Sequence, residues 1–293
     1  MRPRRWPASW VGTRRLVLLC ILFAGLLAAW QLGLHPAQLI PDQGGRALVA
    51  EFFHGAITPA FSYEADFVPE GTAPLLIKAL QAALQTVLLA AAAVSLSIVG
   101  GLVLGFCGST AWWSDELPGA DTAARRALRR AGTPTLYAVT RLLIGLMRST
   151  HELLWATLFL CAMGLTPLAA VIAIAIPFTG TFAKIFSEMI DEAPRDSAAA
   201  LRMAGASPLQ VFCFGLLPQA FPDLCSYTMY RFECALRSSA VLGFFGIPTI
   251  GQSITLSFEN LYYREVWSYI YTLFILVVIV EWWGVALRRR LAE

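Results

Sequence analysis

The sequence predicts an all-α integral membrane protein with about six spanning helices, on three observations. Of the 293 residues, 57% are hydrophobic and only 14% charged, against about 25% charged in soluble domains, and the mean hydropathy is +0.63. Apolar stretches of roughly the 20 residues needed to cross a bilayer recur along the chain. Arginines bunch between those stretches instead of spreading evenly.

The candidate spans are 16–34, 80–107, 136–165, 168–186, 219–245 and 266–287. The first follows a basic segment of Arg2, Arg4, Arg5, Arg14 and Arg15. No clear small-x-small cleavage site precedes Trp30, so the segment reads as a retained helix and not a cleaved leader. Threading six spans alternately places four basic clusters on one side: Arg2 to Arg15, then Arg125, Arg126, Arg129 and Arg130, then Arg195 and Arg202, and finally Arg288 to Arg290. The positive-inside rule makes that side cytoplasmic. Both termini are then cytoplasmic, in a multi-pass protein of a bacterial inner membrane. The opposite side holds 35–74, where Arg46 faces Asp42, Glu51, Glu64, Asp66 and Glu70, and a short loop at 248–265. Trp282 and Trp283 fit an aromatic belt.

Segment 109–134, with Asp115, Glu116 and Asp121, reads as a polar cytoplasmic connector containing a short surface helix. The organisation is thus a tail, first helix and periplasmic loop over 1–74, then one membrane domain over 75–293 with a cytoplasmic loop at 187–218. The six cysteines form no CxxC pair and indicate neither a zinc cage nor a disulfide framework; they read as small buried apolar residues. The net charge of +3 is accounted for by the flanking arginines, which leaves membrane lipid and not nucleic acid as the surface partner.

The loop 187–218, SEMIDEAPRDSAAALRMAGASPLQVFCFGLLP, is too polar to span and too patterned to be a linker. Ala198 to Met203 favours helix, Gly205 suits a left-handed helix end, and Ser207 before Pro208 makes an N-cap with proline in the first turn. Two short helices joined at a sharp bend follow, the second over 209–217, before Pro218 and Pro222 begin the next span. This loop resembles the coupling loop of ABC importer permeases, Glu-Ala-Ala, three residues, Gly, nine residues, Ile-x-Leu-Pro. The matching positions are Ala199, Ala200 and Leu201, then Gly205, then Gly215, Leu217 and Pro218. The family glutamate is replaced by Ala199 and its isoleucine by Gly215. The resemblance implies the type I ABC importer (MetI-like) fold and a loop, Ala199 to Pro218, that docks on an ATPase subunit. The stretches RSTHELLWATLFLCAMGLTPLAAVIAIAI, KIFSEMID and LPQAFPDLCSYTMYRFECALRSSAVLGFFG narrow it to the phosphonate importer permeases, from Arg148 to about Ile254. One departure is Gly246 to Gly251, GIPTIG, where many members read closer to Gly-Ala-Gly-Gly-Ile-Gly.

Ionised side chains within spans cost about 2.5 to 3.5 kcal/mol on insertion scales and face a bundle interior or a watery path. Arg148 and Glu152 are four apart, as are Glu233 and Arg237, so each pair can neutralise itself on one helix face. Arg231 has no such partner, because Glu233 at i+2 points elsewhere. Arg231 and Arg237, with Tyr227 and Tyr230, are expected to line a cavity favouring oxyanions through charge-assisted bonds; Arg148, Ser149 and Glu233 complete the candidate path.

The chain carries no phosphate-binding G-x-x-x-x-G-K-[ST] loop. The resemblance therefore implies a transport subunit, not an enzyme. It binds no cofactor itself, and ATP and Mg sit on a partner ABC ATPase. A periplasmic substrate-binding protein and a permease homodimer are also implied. The expected solute is a phosphonate, with phosphite or phosphate beside it. Methionine, another amino acid, or transport without ATP by a carrier or channel stand as alternatives. A membrane hydrolase built on Ser149, His151 and Glu152 is disfavoured by the lack of HExxH and G-x-S-x-G.

Overall fold

A computed structural model describes residues 9–34, 42–110 and 123–292. Arg2, Arg4 and Arg5, the start of the 35–74 segment, and Asp115, Glu116 and Asp121 of the connector lie outside the described residues. Among the described residues every regular element is helical. The chain divides into two units, 1–54 and 55–293.

The first unit holds α1 (Ser9–Gln31) and most of α2 (Gln43–Ile57). Leu18, Ile21, Leu22, Phe23, Leu26 and Trp30 of α1 are all exposed, and its apolar part, Arg15–Gln31, is shorter than the helices counted below as long enough to cross a membrane. The α2 helix lies inside the segment expected to be a periplasmic loop. Its start is capped by Asp42, whose Oδ1 accepts the Gly45 N–H at 2.8 Å.

The second unit is built from α3 (Leu75–Gly108), α4 (Ala123–Ser149), α5 (Glu152–Met163), α6 (Pro167–Glu192), α7 (Asp196–Met203), α8 (Pro208–Val211), α9 (Leu217–Val241), α10 (Ile250–Glu259) and α11 (Tyr263–Ala292). Three helices, α3, α6 and α11, are long and apolar enough to cross a membrane by themselves. The stretch from Leu209 to Phe245 passes the same test together with α10, the two bent by 42° at the intervening break, the geometry of a broken span or a re-entrant loop, so the described residues hold three or four candidate spans where six were expected. That break falls on the first four residues of GIPTIG: Gly246 turns the chain at φ 91°, and at the start of α10 buried Thr86 of α3 accepts the Ile250 N–H through its Oγ1 at 3.0 Å.

The expected third span, 136–165, is corrected by the structure to two helices. The chain leaves helical geometry at Thr150 and His151, because His151 adopts an extended N-cap conformation and its imidazole accepts the Leu153 N–H. The loop expected at 248–265 is likewise mostly the helix α10. The cysteines are not buried as expected: Cys20, Cys161 and Cys213 are exposed and the others half-buried. In a membrane protein an outward-facing thiol meets lipid, so the apolar reading of these residues does not require an interior position.

The core is centred on α6, whose Ala169, Ala170, Ala173, Ile174, Phe178, Phe182, Phe186 and Ile190 are all buried. Small residues on α3 let it approach closely, as in close-packed membrane helices. A Cβ on Gly101 would lie 2.5 Å from the Phe182 Cβ, and one on Gly100 would lie 2.7 Å from a Thr179 methyl. Buried Ser97 donates to the Ala175 carbonyl across the same seam at 3.1 Å. The contacts run from Gly100 with Thr179 to Gly105 with Phe186, so α3 and α6 run parallel, as alternate threading requires.

At the end of the bundle away from the 187–218 loop, residues 58–64 are clasped to the start of α11. Buried Glu265 accepts the Glu64 N–H at 2.6 Å and the Ser257 hydroxyl at 3.0 Å. The Glu64 carboxylate in turn faces the Glu265 N–H at 3.5 Å and Arg264 Nε at 3.7 Å. Arg264 Nε also donates to the Thr58 carbonyl. The Tyr63 hydroxyl donates to the Ala73 carbonyl at 2.8 Å, and burial with the charge of Glu265 pushes its pKa up, which keeps the donor protonated.

Candidate functional site: the cytoplasmic loop and the arginine face of α9

The loop folds as the two-helix hairpin its sequence predicts. Gly205 turns the chain at φ 83° after α7, in the left-handed region that a Cβ disfavours. Ser207 then forms a reciprocal capping box with Gln210: Gln210 N–H donates to Ser207 Oγ at 3.4 Å, and Ser207 N–H donates to Gln210 Oε1 at 2.8 Å. The hairpin exposes Ala199, Ala200, Gly205 and Met203, the last at 85%, on one face, while buried Ala198 and Leu201 on the other pack against the bundle.

The second helix does not end at 217 as expected. It begins at Pro208 as α8 and widens into a π turn over Phe212–Leu216, which passes without a break into α9 at Leu217 and Pro218. Pro218 supplies a reason: it has no N–H for the Phe214 carbonyl, and its ring collides with that carbonyl in an ordinary α turn. Gly215 lies inside the π turn against Ala198, where an added Cβ would meet the Ala198 Cα at 3.3 Å. Its replacement of the family isoleucine therefore matches a closer approach of α7. The Ser197 hydroxyl donates to the Gly215 carbonyl at 3.3 Å, and Gln219 Nε2 donates to Ser197 Oγ at 2.8 Å. These bonds fasten α7 to the root of α9.

Along α9 the predicted path residues separate by face. The Arg231 guanidinium lies 4.0 Å from the centroid of the buried Phe178 ring on α6, a cation–π arrangement. Its Nε is buried without a hydrogen-bond partner. Tyr227 packs edge-on against Phe182 at 5.8 Å and stands beside Tyr230 at 6.2 Å. Tyr227 and Arg231, one turn apart on α9, are thus both held against the aromatic side chains Phe178 and Phe182 of α6. Arg148 is brought against α6 at Gly180, where a Cβ would come within 3.0 Å of its Cγ. Arg148, Tyr230 and Arg237 are exposed.

The expected intrahelical ion pairs are absent among the described residues. The break at Thr150 and His151 removes the four-residue spacing between Arg148 and Glu152, and Glu152 instead accepts the Ser238 hydroxyl of α9 at 2.8 Å. Glu233 faces α11, its Oε1 3.3 Å from where a Gly284 Cβ would sit and without a hydrogen-bond partner. Arg237 approaches the Cys234 sulfur at 3.7 Å, and the Ser149 hydroxyl is spent on its own helix, on the Leu146 carbonyl. The structure thus groups Arg148, Tyr227, Tyr230 and Arg231 and turns Glu233 away from them.

Between α6 and α9, a cavity of about 510 Å³ opens beside the hairpin, lined by Glu192, Gln219, Asp223, Ser226 and Tyr227 among others. Sequence reading missed this cavity and also missed Asp191. Its carboxylate accepts the Ser109 hydroxyl at 2.6 Å and the Thr110 N–H at 2.9 and 3.0 Å. The sequence signal was faint: an acidic residue closing one apolar helix and a Ser-Thr pair closing another, 81 residues apart.

A bundle of apolar helices long enough to cross a membrane, with a bent helical hairpin at one end and Arg231 laid over a core ring, has the architecture of a membrane transport subunit. Residues 127–293 match the family described as binding-protein-dependent transport system inner membrane component, and the chain belongs to that family. It is similar to the phosphite transport system permease protein PtxC of Stutzerimonas stutzeri, with 28% identity over 264 residues, covering 90% of this chain and 84% of the relative. It is also similar to the phosphate-import permease protein PhnE of Mycolicibacterium smegmatis, with 28% identity over 202 residues, or 69% of this chain and 37% of that longer protein. Among solved structures, the inward-facing MetNI methionine ABC transporter superposes with a TM-score of 0.61 at 18% identity, over 76% of this chain and all of the other. The fold is accordingly that of the type I ABC importer permeases.

Proposed function

We propose that this chain is the permease through which an ABC importer passes a small phosphorus oxyanion, phosphonate, phosphite or phosphate, across the bacterial inner membrane. The observation that carries the substrate class is the Arg231 guanidinium laid over the buried Phe178 ring one turn from Tyr227, with Arg148 brought against the same stretch of α6 at Gly180. A guanidinium over an aromatic ring, its buried Nε–H unbonded among the described residues, has a donor to offer a passing anion. The names of the phosphite and phosphate permeases that resemble it support the same class. In this reading 187–218 faces the cytoplasm and docks on a separate ATPase that holds ATP and Mg, both termini are cytoplasmic, a periplasmic receptor delivers the solute, and two copies of the chain enclose the path.

The test is uptake of labelled methylphosphonate, phosphite, phosphate and methionine by cells with and without this chain, co-expressed with its ATPase and receptor. Chain-dependent, ATP-dependent accumulation of a phosphorus oxyanion is expected. Accumulation of methionine alone would retain the importer and discard the oxyanion path.

A further inference from the structure

Besides the edge-on contact of Phe212 with Phe106 of α3 at 4.6 Å, the cytoplasmic hairpin is fastened by polar bonds that lead to different helices. Ser197 joins α7 to the root of α9, the helix that carries Tyr227 and Arg231. Asp191, in the last turn of α6 and five residues before the start of α7, leads instead to α3. Its carboxylate takes the Ser109 hydroxyl on one oxygen and shares the Thr110 N–H between both. Ser109 is the 1% exposed residue that caps α3, so the bond reaches the last point at which α3 is still packed. The Asp191 carbonyl also accepts Arg195 Nη2 at 3.4 Å, from the three-residue strap that enters α7.

Higher up, α3 and α6 are already locked by Gly100, Gly101 and Gly105. Beyond Gly105 the seam with α6 ends, and the last turn of α3 meets α4 instead, at Gly108 beside Ile144 and Thr140. Asp191 closes that gap. Charge-assisted bonds to a carboxylate are about twice as strong as neutral ones, and two donors converging from one turn fix direction as well as distance.

From this geometry we infer that Asp191 is a positioning residue of the transport cycle: it clips the end of α3 to the root of the hairpin, so that a push delivered at the hairpin moves α3 together with α6. The inference rests on the docking role proposed for 187–218 but not on the identity of the solute. Without the clip, the hairpin would still engage its ATPase and α9 would still respond through Ser197, while α3 would lag.

The experiment uses the assembled transporter in lipid nanodiscs, in single-cysteine backgrounds, and needs no solute. A bimane fluorophore is placed either at Met203→Cys on the hairpin or on native Cys107, half-buried at the end of α3 beyond Gly105, and emission is compared before and after trapping with ATP and vanadate. The parent proteins are expected to show a shift at both positions. In Asp191→Ala the Met203 shift should persist and the Cys107 shift be lost. In Ser109→Ala, which removes one bond and keeps the carboxylate, the Cys107 shift should shrink. An unchanged Cys107 shift in Asp191→Ala overturns the inference alone. No shift at Met203 in the parent overturns the docking role with it. Should Asp191→Ala fail to assemble, Ser109→Ala decides, with an undiminished Cys107 shift counting against the clip.

Discussion

Helices α6 and α9 both border the hairpin, yet they are built to opposite rules. The inner face of α6 is alanine, isoleucine and phenylalanine, buried throughout, with glycines of α3 pressed against it at distances that admit no side chain. In contrast, α9 starts from a π turn, carries Pro222 within its length, and holds Arg231, Glu233 and Arg237 within its bilayer-depth stretch. Two of its buried polar atoms, Arg231 Nε and Glu233 Oε1, lack hydrogen bonds. Unsatisfied polar groups and strained turns persist where function requires them. The contrast marks α6 with α3 as a closely packed wall, one rigid piece, and α9 as the working surface of the proposed path.

Three substitutions separate the wall from the working surface. The largest effect is expected from Gly101→Leu, whose first side-chain carbon would already sit 2.5 Å from Phe182. Overpacking of this kind costs about 1–3 kcal/mol or more, and the detergent-solubilised protein should show a lowered midpoint in thermal denaturation. Wild-type stability in this variant would mean that α3 is not part of the wall. Next comes Arg231→Gln, for which stability and transport should diverge. The fold gives up one cation–π contact and sheds an unbonded buried N–H, so its denaturation midpoint should barely move. Uptake should fall roughly ten- to hundredfold if about 1.5–3 kcal/mol of charge-assisted bonding to the anion is lost at the rate-limiting step. Retention of near wild-type uptake would remove Arg231 from the path. The smallest effect is expected from Gly205→Ala, at about 1 kcal/mol for a left-handed non-glycine residue. Weakened retention of the ATPase subunit during purification should accompany it, and an unaltered complex would show that the bend need not be tight.

The sequence made the wall legible and left the details of the working surface hidden. Long apolar runs and the arginine clusters between them located α3, α6, α9 and α11 to within a few residues, because burial in lipid imposes one requirement on a whole segment. The hairpin was legible for a local reason: Gly205, Ser207 and Pro208 each act on their own turn. The break before α5 escaped notice because hydropathy averages over a window, although the polar run from Arg148 to Glu152 carries both the capping residue and an acidic first turn. The pairing of Arg148 with Glu152 failed for the same reason, since i to i+4 geometry presumes an unbroken helix. What joins distant segments, Glu152 with Ser238, Asp191 with Ser109, and the mutual clasp of Glu64 and Glu265, has no periodicity to read.

The wide turn at Phe212–Leu216 amounts to one residue more than an α-helix of the same rise would hold. Each residue advances an α-helix by about 100°, so that surplus rotates everything beyond it. Tyr227 and Arg231 look toward α6 because the count of residues between hairpin and arginine is what it is. In such a helix, the side chains offered to a passing anion are chosen by chain length as much as by residue identity.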